Sequence, residues 1–106
     1  MAAQPKLEHL MVEQTFDPPL TDEQHSADGR KLDDCLGQHG ARWVRSYLSS
    51  DHRRMVCEFE APDAEAVRVS YRSAGIRFDR VWTAEVYARE ASSSAAAAAP
   101  AAAQPA

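Results

Sequence analysis

Four segments of the chain alternate apolar and polar residues with a period of two. They cover residues 7–16, 42–49, 53–60 and 79–87. Such alternation is typical of β-strands that bury one of their two faces. The pattern therefore predicts four strands, and the Ser50-Asp51-His52 turn joins the second and third of them as a hairpin.

Two segments with helical periodicity lie between these strands. The first opens at Thr21, and Gln24 follows at the spacing of a capping box. Its apolar stripe is thin and consists of Ala27, Leu32, Cys35 and Leu36. The second helix starts at Ala61-Pro62-Asp63 and ends at Gly75. Its predicted buried stripe is Ala64, Val67, Tyr71 and Ala74.

The order β-α-β-β-α-β predicts a ferredoxin-like α+β fold, with an antiparallel sheet and both helices on one face. The domain covers residues 7–89. Residues 90–106 form a tail rich in Ala, Ser and Pro, which we expect to be disordered.

Alternation also predicts which side chains share a face of the sheet. A tight hairpin pairs Val44 with Cys57 and Trp43 with Glu58. The predicted helix-covered face carries Leu10, Val12, Phe16, Val44, Leu48, Met55, Cys57, Phe59, Trp82, Ala84 and Val86. The predicted opposite face carries His9, Met11, Glu13, Thr15, Trp43, Arg45, Tyr47, Arg54, Val56, Glu58, Val81, Thr83, Glu85 and Tyr87.

The second set is too aromatic for a face left in solvent and too charged for a core. Left uncovered, it would form a large exposed apolar patch. We therefore expect a homodimer that packs sheet against sheet and encloses a polar and aromatic cavity, because a two-fold contact is self-complementary.

Composition narrows the class of protein. The formal charge of −4 and the absence of a basic patch argue against a nucleic-acid partner. No stretch is long and apolar enough to predict a membrane span, and no secretory signal is evident, so we expect a cytoplasmic protein. Cys35 and Cys57 form no CxxC motif and are expected to be buried thiols.

The chain resembles the domain of unknown function 4242 family. The resemblance rests on three segments, MVEQTFDPPLT, RWVRSYLSSDHRRMVCEFEAPDAEAVRVSYRSAG and FDRVWTAEVY. The best-known kind of member is a nickel-binding protein with a dimeric ferredoxin-like fold. The resemblance therefore implies a dimeric α+β barrel and nickel as the metal to consider. Nickel-binding members carry histidines where this chain has Tyr71 and Ile76.

Carboxylates on the second sheet face are the candidate metal ligands. Nickel and similar divalent ions accept imidazole and carboxylate groups, so Glu13, Glu58 and His9 are the predicted ligands. The alternative is that Glu13 and Glu58 form ion pairs with Arg45, Arg54 or a second copy of the chain.

Trp43, Arg45, Tyr47 and Glu58 are the candidate residues for a small-molecule ligand. Arginine would orient an anionic or polar group and the rings would form walls, although the same residue types anchor protein interfaces. His25, His39 and His52 have no metal-ligand spacing. Cys57 is predicted to be buried, with a raised pKa and little reactivity.

No catalytic motif is present, so we name no catalytic residue and favour a binding protein over an enzyme. The leading hypothesis is a small homodimeric binding protein, with nickel or another divalent metal as its possible ligand. The alternatives are a dimeric α+β barrel that binds or transforms a small molecule, and a module that only dimerises.

Overall fold

A four-stranded antiparallel sheet with two helices forms the domain in the computed structural model, which describes residues 6–89. The elements are β1 (Glu8–Thr15), α1 (Asp22–Gln38), β2 (Arg42–Leu48), β3 (Arg54–Ala61), α2 (Ala64–Ala74) and β4 (Arg80–Ala84). The strand order is β2-β3-β1-β4. The predicted ferredoxin-like fold is confirmed, and the predicted tail, 90–106, lies outside the described residues.

The core lies between one face of the sheet and the helices. Leu10, Val12 and Phe59 are fully buried, as the alternation predicts. Tyr71 of α2 packs edge-on against Phe59, with 5.9 Å between ring centroids, and against Phe78 at 5.4 Å. These contacts fix α2 over the centre of the sheet.

Helix α1 begins at the predicted cap, Thr21, whereas α2 is capped by Asp63 and begins at Ala64, just after the predicted start at Ala61-Pro62-Asp63. The Thr21 side chain accepts a hydrogen bond from the Gln24 amide at 3.1 Å, and Asp63 accepts one from Ala66 at 2.9 Å. Each bond satisfies a backbone donor that has no partner within the helix. Gly75 ends α2 with a φ of 73°, a left-handed conformation that favours glycine.

The register of β2 differs from the prediction. Ser46 faces Cys57, and the pairing shifts between Trp43 and Arg45, so that Val44 is the additional residue of a bulge-like irregularity. Trp43 consequently faces Phe59 rather than Glu58. The prediction that Trp43 shares a face with Arg45 and Tyr47 is therefore wrong, because an inserted residue reverses the alternation that precedes it.

The faces of β4 are also the reverse of those predicted. Val81 faces Val12 and packs against the core, whereas Trp82 faces Met11 on the opposite side. The strand ends at Ala84, so Glu85 and Tyr87 lie beyond it. The sequence permits both assignments because apolar residues occur at both parities of this segment, and a shift of one residue exchanges the two faces.

Candidate functional site

The sheet face that the helices leave uncovered carries the candidate residues; we call it the open face. Strand pairing places on it the side chains His9, Met11, Glu13, Arg42, Arg45, Tyr47, Arg54, Val56, Glu58, Glu60, Arg80, Trp82 and Ala84. Its acids lie on the two central strands. The edge strands β2 and β4 contribute Arg42, Arg45 and Arg80.

Glu58 lies near the centre of the open face, and its side chain is only 13% exposed. The Nε of Arg45 lies 3.1 Å from its Oε1, and the Nε2 of His9 lies 3.8 Å from its Oε2. A poorly hydrated carboxylate needs such a partner to remain charged. Arg45 therefore neutralises one of the two carboxylates that the sequence predicts as metal ligands.

Glu60 extends this cluster toward the end of β3. The Nε of Arg42 donates to its Oε1 at 2.6 Å, and His9 approaches its Oε2 at 3.3 Å. His9 thus stands between two carboxylates, each of which is already paired with an arginine of β2. Glu60 was not among the predicted site residues, although its position two residues after Glu58 places it on the same face of the strand.

Glu13 of β1 contacts two side chains of the neighbouring strand β4. The indole Nε1 of Trp82 donates to its Oε2 at 2.8 Å, and the Nε of Arg80 lies 3.5 Å from its Oε1. This role of Trp82 could not be predicted from the sequence, because Trp82 was expected to lie on the helix-covered face of the sheet. The ion-pair alternative therefore describes both predicted acids, with Arg80 rather than Arg54 as the partner of Glu13.

The donors on the open face do not form a ready metal site. Within residues 6–89, no group of three or more His, Cys, Asp or Glu side chains is arranged to hold a metal ion. Glu13 and Glu58 lie on different strands with different arginine partners, and Glu85 lies beyond β4. The described residues as arranged thus do not fit a resident divalent ion.

Apolar and aromatic side chains separate the charged groups of the open face. Tyr47 is 59% exposed and Trp82 is 43% exposed, while Met11 and Val56 are half-buried between them. Beyond β4, Tyr87 is 90% exposed. The open face therefore combines nearly balanced charge with aromatic rings, a composition typical of protein interfaces.

Trp43 lines a cavity of about 430 Å³ between α1 and the sheet, which we call the α1 cavity. The indole Nε1 of Trp43 donates to Ser46 Oγ at 2.8 Å, and Ser46 Oγ donates to Cys57 Sγ at 2.9 Å. Burial raises the pKa of the Cys57 thiol and of the Tyr71 hydroxyl. The prediction of a buried, protonated Cys57 is confirmed.

The fold and the open face together define a small ferredoxin-like α+β protein with a charged, aromatic sheet face. The family model of nickel responsive proteins that resemble SCO4226 matches residues 10–84, so the chain belongs to this SCO4226-like family. The predicted resemblance to a nickel-related family is thereby confirmed, under the description SCO4226-like and not as domain of unknown function 4242.

Two solved structures share the fold. The crystal structure of SCO4226 from Streptomyces coelicolor A3(2) matches with a TM-score of 0.68 and 19% sequence identity, over 76% of this chain and 99% of that one. A structural-genomics protein, YJCS, matches with a TM-score of 0.50 and 11% identity over the same shares. A comparison with curated protein sequences found no match. At these identities the likeness concerns the fold.

Residues 6–89 contain no helix that is both long and apolar enough to cross a membrane. Both cysteines, Cys35 and Cys57, are unpaired thiols, but only Cys57 is buried. The prediction of a buried thiol is therefore wrong for Cys35, which is half-buried in a helix that buries only Leu36.

Proposed function

We propose that the chain is a small cytoplasmic binding protein that acts as a homodimer, with the open face as both interface and binding surface. The observation that carries this proposal is the pair of exposed rings, Tyr47 and Trp82, on a sheet face without helices. Contiguous exposed apolar surface on a small domain marks an interaction site. The unpaired thiols support a reducing compartment.

A second copy of the chain is the occupant that fits this surface. The four strands present roughly 450 Å² in projection per protomer, which gives roughly 900 Å² for the pair from strand spacing and rise alone. The exposed side chains of Val86 and Tyr87 extend the surface beyond β4. The total is close to the roughly 1,000 Å² that a specific interface needs.

Charge also favours self-association over an acidic or basic partner. The open face contributes Glu13, Glu58 and Glu60 against Arg42, Arg45, Arg54 and Arg80. Nearly equal numbers of the two signs leave no strong repulsion between identical faces. The long arginine side chains at the edges can reach carboxylates of the opposite copy.

The dimer is tested by light scattering coupled to gel filtration at tens of micromolar protein. We expect a dimer mass for the wild type. Tyr47→Lys places a charge on the exposed part of the open face and is expected to weaken association at least about tenfold. Ser73→Lys, a matched change on the exposed side of α2, should leave the mass unchanged. A monomer mass for the wild type would refute the proposal.

Nickel binding is the second candidate, with His9, Glu58 and Glu13 as the ligands that the sequence suggests. The family description favours it, and so does the position of His9 within 3.8 Å of Glu58 and 3.3 Å of Glu60. Binding there would require Arg45 and Arg42 to release their carboxylates, so the arrangement of the described residues counts against it.

Calorimetric titration with Ni²⁺ tests whether the open face binds nickel or keeps its carboxylates paired with arginine. The paired acids predict no heat of binding at micromolar protein for the wild type. Saturable heat that disappears in His9→Ala would instead establish the nickel site. Heat that is unchanged in His9→Ala, Glu13→Ala and Glu58→Ala would place the ion at other residues.

A further inference from the structure

We propose that the α1 cavity binds an uncharged, mostly apolar small molecule that carries a hydrogen-bond donor. This site goes beyond the proposed function, because it lies on the helix-covered side of the sheet and the open face lies on the other. The volume of about 430 Å³ falls within the range of about 300–1,000 Å³ that is usual for small-molecule sites.

The cavity exists because α1 turns a poorly filled stripe toward the sheet. The lining residues His25, Gly29, Leu32 and Leu36 recur at helical spacing. Gly29 has no side chain, and a Cβ added there would meet nothing within 4 Å. Gly29 is exposed, so its missing side chain leaves the entrance of the cavity open rather than a void within the core.

The walls select against a negatively charged ligand. Most of the lining is apolar and includes Phe16, Leu20, Leu32, Met55, Phe59 and Ile76. The charged groups that line it all come from α1, where Asp28 and Asp33 outnumber Arg30. An anion would therefore enter an apolar site beside two acids, with one exposed arginine as its only lining cation.

Gln14 supplies the polar contact that selects a donor. Its side chain is buried, with the residue only 7% exposed, and its Nε2 donates to the Arg77 carbonyl at 2.9 Å. Because a carbonyl only accepts, this bond fixes which end of the amide is nitrogen. The amide oxygen, Oε1, has no hydrogen-bond donor among residues 6–89. A hydroxyl or N–H group in the cavity would satisfy it.

The sheet side of the α1 cavity determines its shape and carries no charged side chain. Trp43, Ser46 and Cys57 already form a continuous hydrogen-bonded chain. Cys57 remains protonated because burial raises its pKa. Trp43, at 53% exposure, has a partly solvated ring that lines the cavity. The amide oxygen of Gln14 is therefore a buried acceptor that remains available to a ligand, whereas His25 and Ser26, which also line the cavity, are exposed.

The probe for this site is 2-naphthol, observed through the amide resonances of the labelled protein. We expect saturable shifts in α1 and in the part of β3 around Cys57, with a dissociation constant below about 1 mM. Because 2-naphthoate is an anion of similar shape, it should bind at least about tenfold more weakly.

Two variants separate the site from general packing. Gly29→Leu fills the cavity and should abolish binding while raising the melting temperature, because leucine favours helix over glycine. Gln14→Met keeps the volume and removes the acceptor, so it should weaken 2-naphthol about fivefold. Binding of 2-methoxynaphthalene, which has no donor, should change little in this variant.

Absence of saturable shifts in the wild type would overturn the proposal, and so would full binding by Gly29→Leu. Equal affinities for 2-naphthol and 2-naphthoate would refute the argument from charge. Shifts confined to Arg45 and Tyr47 would place the ligand on the open face, which refutes the α1 cavity as the site and leaves the proposed dimer unaffected.

Discussion

The two helices cover the same face of the sheet but pack against it very differently. The shorter, α2, has 11 residues and buries Val67, Ser70, Tyr71 and Ala74. The longer, α1, has 17 residues and buries only Leu36. Ser70 Oγ reaches the Cys35 carbonyl at 3.3 Å, so α1 is held near its C-terminal end by α2. Helix α2 therefore contributes to the core, whereas α1 mainly covers a cavity.

The sequence of α1 accounts for this difference. It carries Gly29 in its interior and five acids, Asp22, Glu23, Asp28, Asp33 and Asp34. Few positions therefore remain for apolar side chains, and most helical stability in proteins comes from such a face. We expect substitutions in α2 to alter global stability strongly, and substitutions in the first half of α1 to alter it weakly.

The largest effect should follow from Tyr71→Ala in α2. The ring is fully buried against Phe59 and Phe78, and its removal is expected to lower the free energy of unfolding by about 3–5 kcal/mol. Leu32→Ala in α1 should cost only about 1 kcal/mol, because that side chain is half-buried beside the cavity. Urea unfolding measures both, and equal costs would contradict the contrast between the helices.

Alkaline pH is expected to lower the free energy of unfolding through two buried groups, Cys57 of β3 and Tyr71 of α2. Burial raises the pKa of Cys57 and of Tyr71, so the folded state keeps protons that the unfolded chain releases above its ordinary values of 9.0 and 10.0. The free energy of unfolding that these two groups contribute is fully present below about pH 9. It falls as pH rises, by at most about 1.4 kcal/mol per pH unit for each group.

Urea midpoints measured between about pH 8 and pH 10.5 check this expectation. Tyr71→Phe keeps the ring and removes one titrating group, and Cys57→Ala removes the other. Each variant should lose less stability than the wild type over this range. An identical pH dependence in all three proteins would show that neither group is responsible.

Small effects of opposite sign are expected at two glycines, Gly29 within α1 and Gly75 at the end of α2. A Cβ meets nothing within 4 Å at either Gly29 or Gly75, so only the backbone conformation distinguishes them. Gly29→Ala should stabilise the protein by up to about 1 kcal/mol, because alanine favours the helix interior. Gly75→Ala should destabilise it by about 1–2 kcal/mol, because its φ of 73° strains any other residue. Thermal melts should shift in opposite directions.

Most of the fold could be predicted from local patterns, because local chemistry determines where helices begin and which strands form. The cap at Thr21 and the end of α2 at Gly75 are examples. The face of Trp43 could not be predicted in this way, because it depends on an irregularity in the pairing of β2 with β3. Trp82 was placed on the wrong side because both parities of its strand carry apolar residues.

The candidate site was predictable only as a set of residue types. Alternation correctly brought His9, Glu13, Arg45, Tyr47 and Glu58 to one face. It could not assign the partner of each acid, because the pairs join strands that are distant in the sequence. The α1 cavity was not predicted, since a missing side chain at Gly29 gives no periodic signal.

The irregularity at Val44 also affects how sheets of different copies could meet along their edges. An edge strand exposes backbone donors and acceptors that can template the growth of fibrils. In β2 that row is interrupted near Val44 and flanked by Arg42 and Arg45. The other edge, β4, has only five residues. Neither edge offers a long regular template, and this disfavours open-ended addition of strands from other copies of the chain.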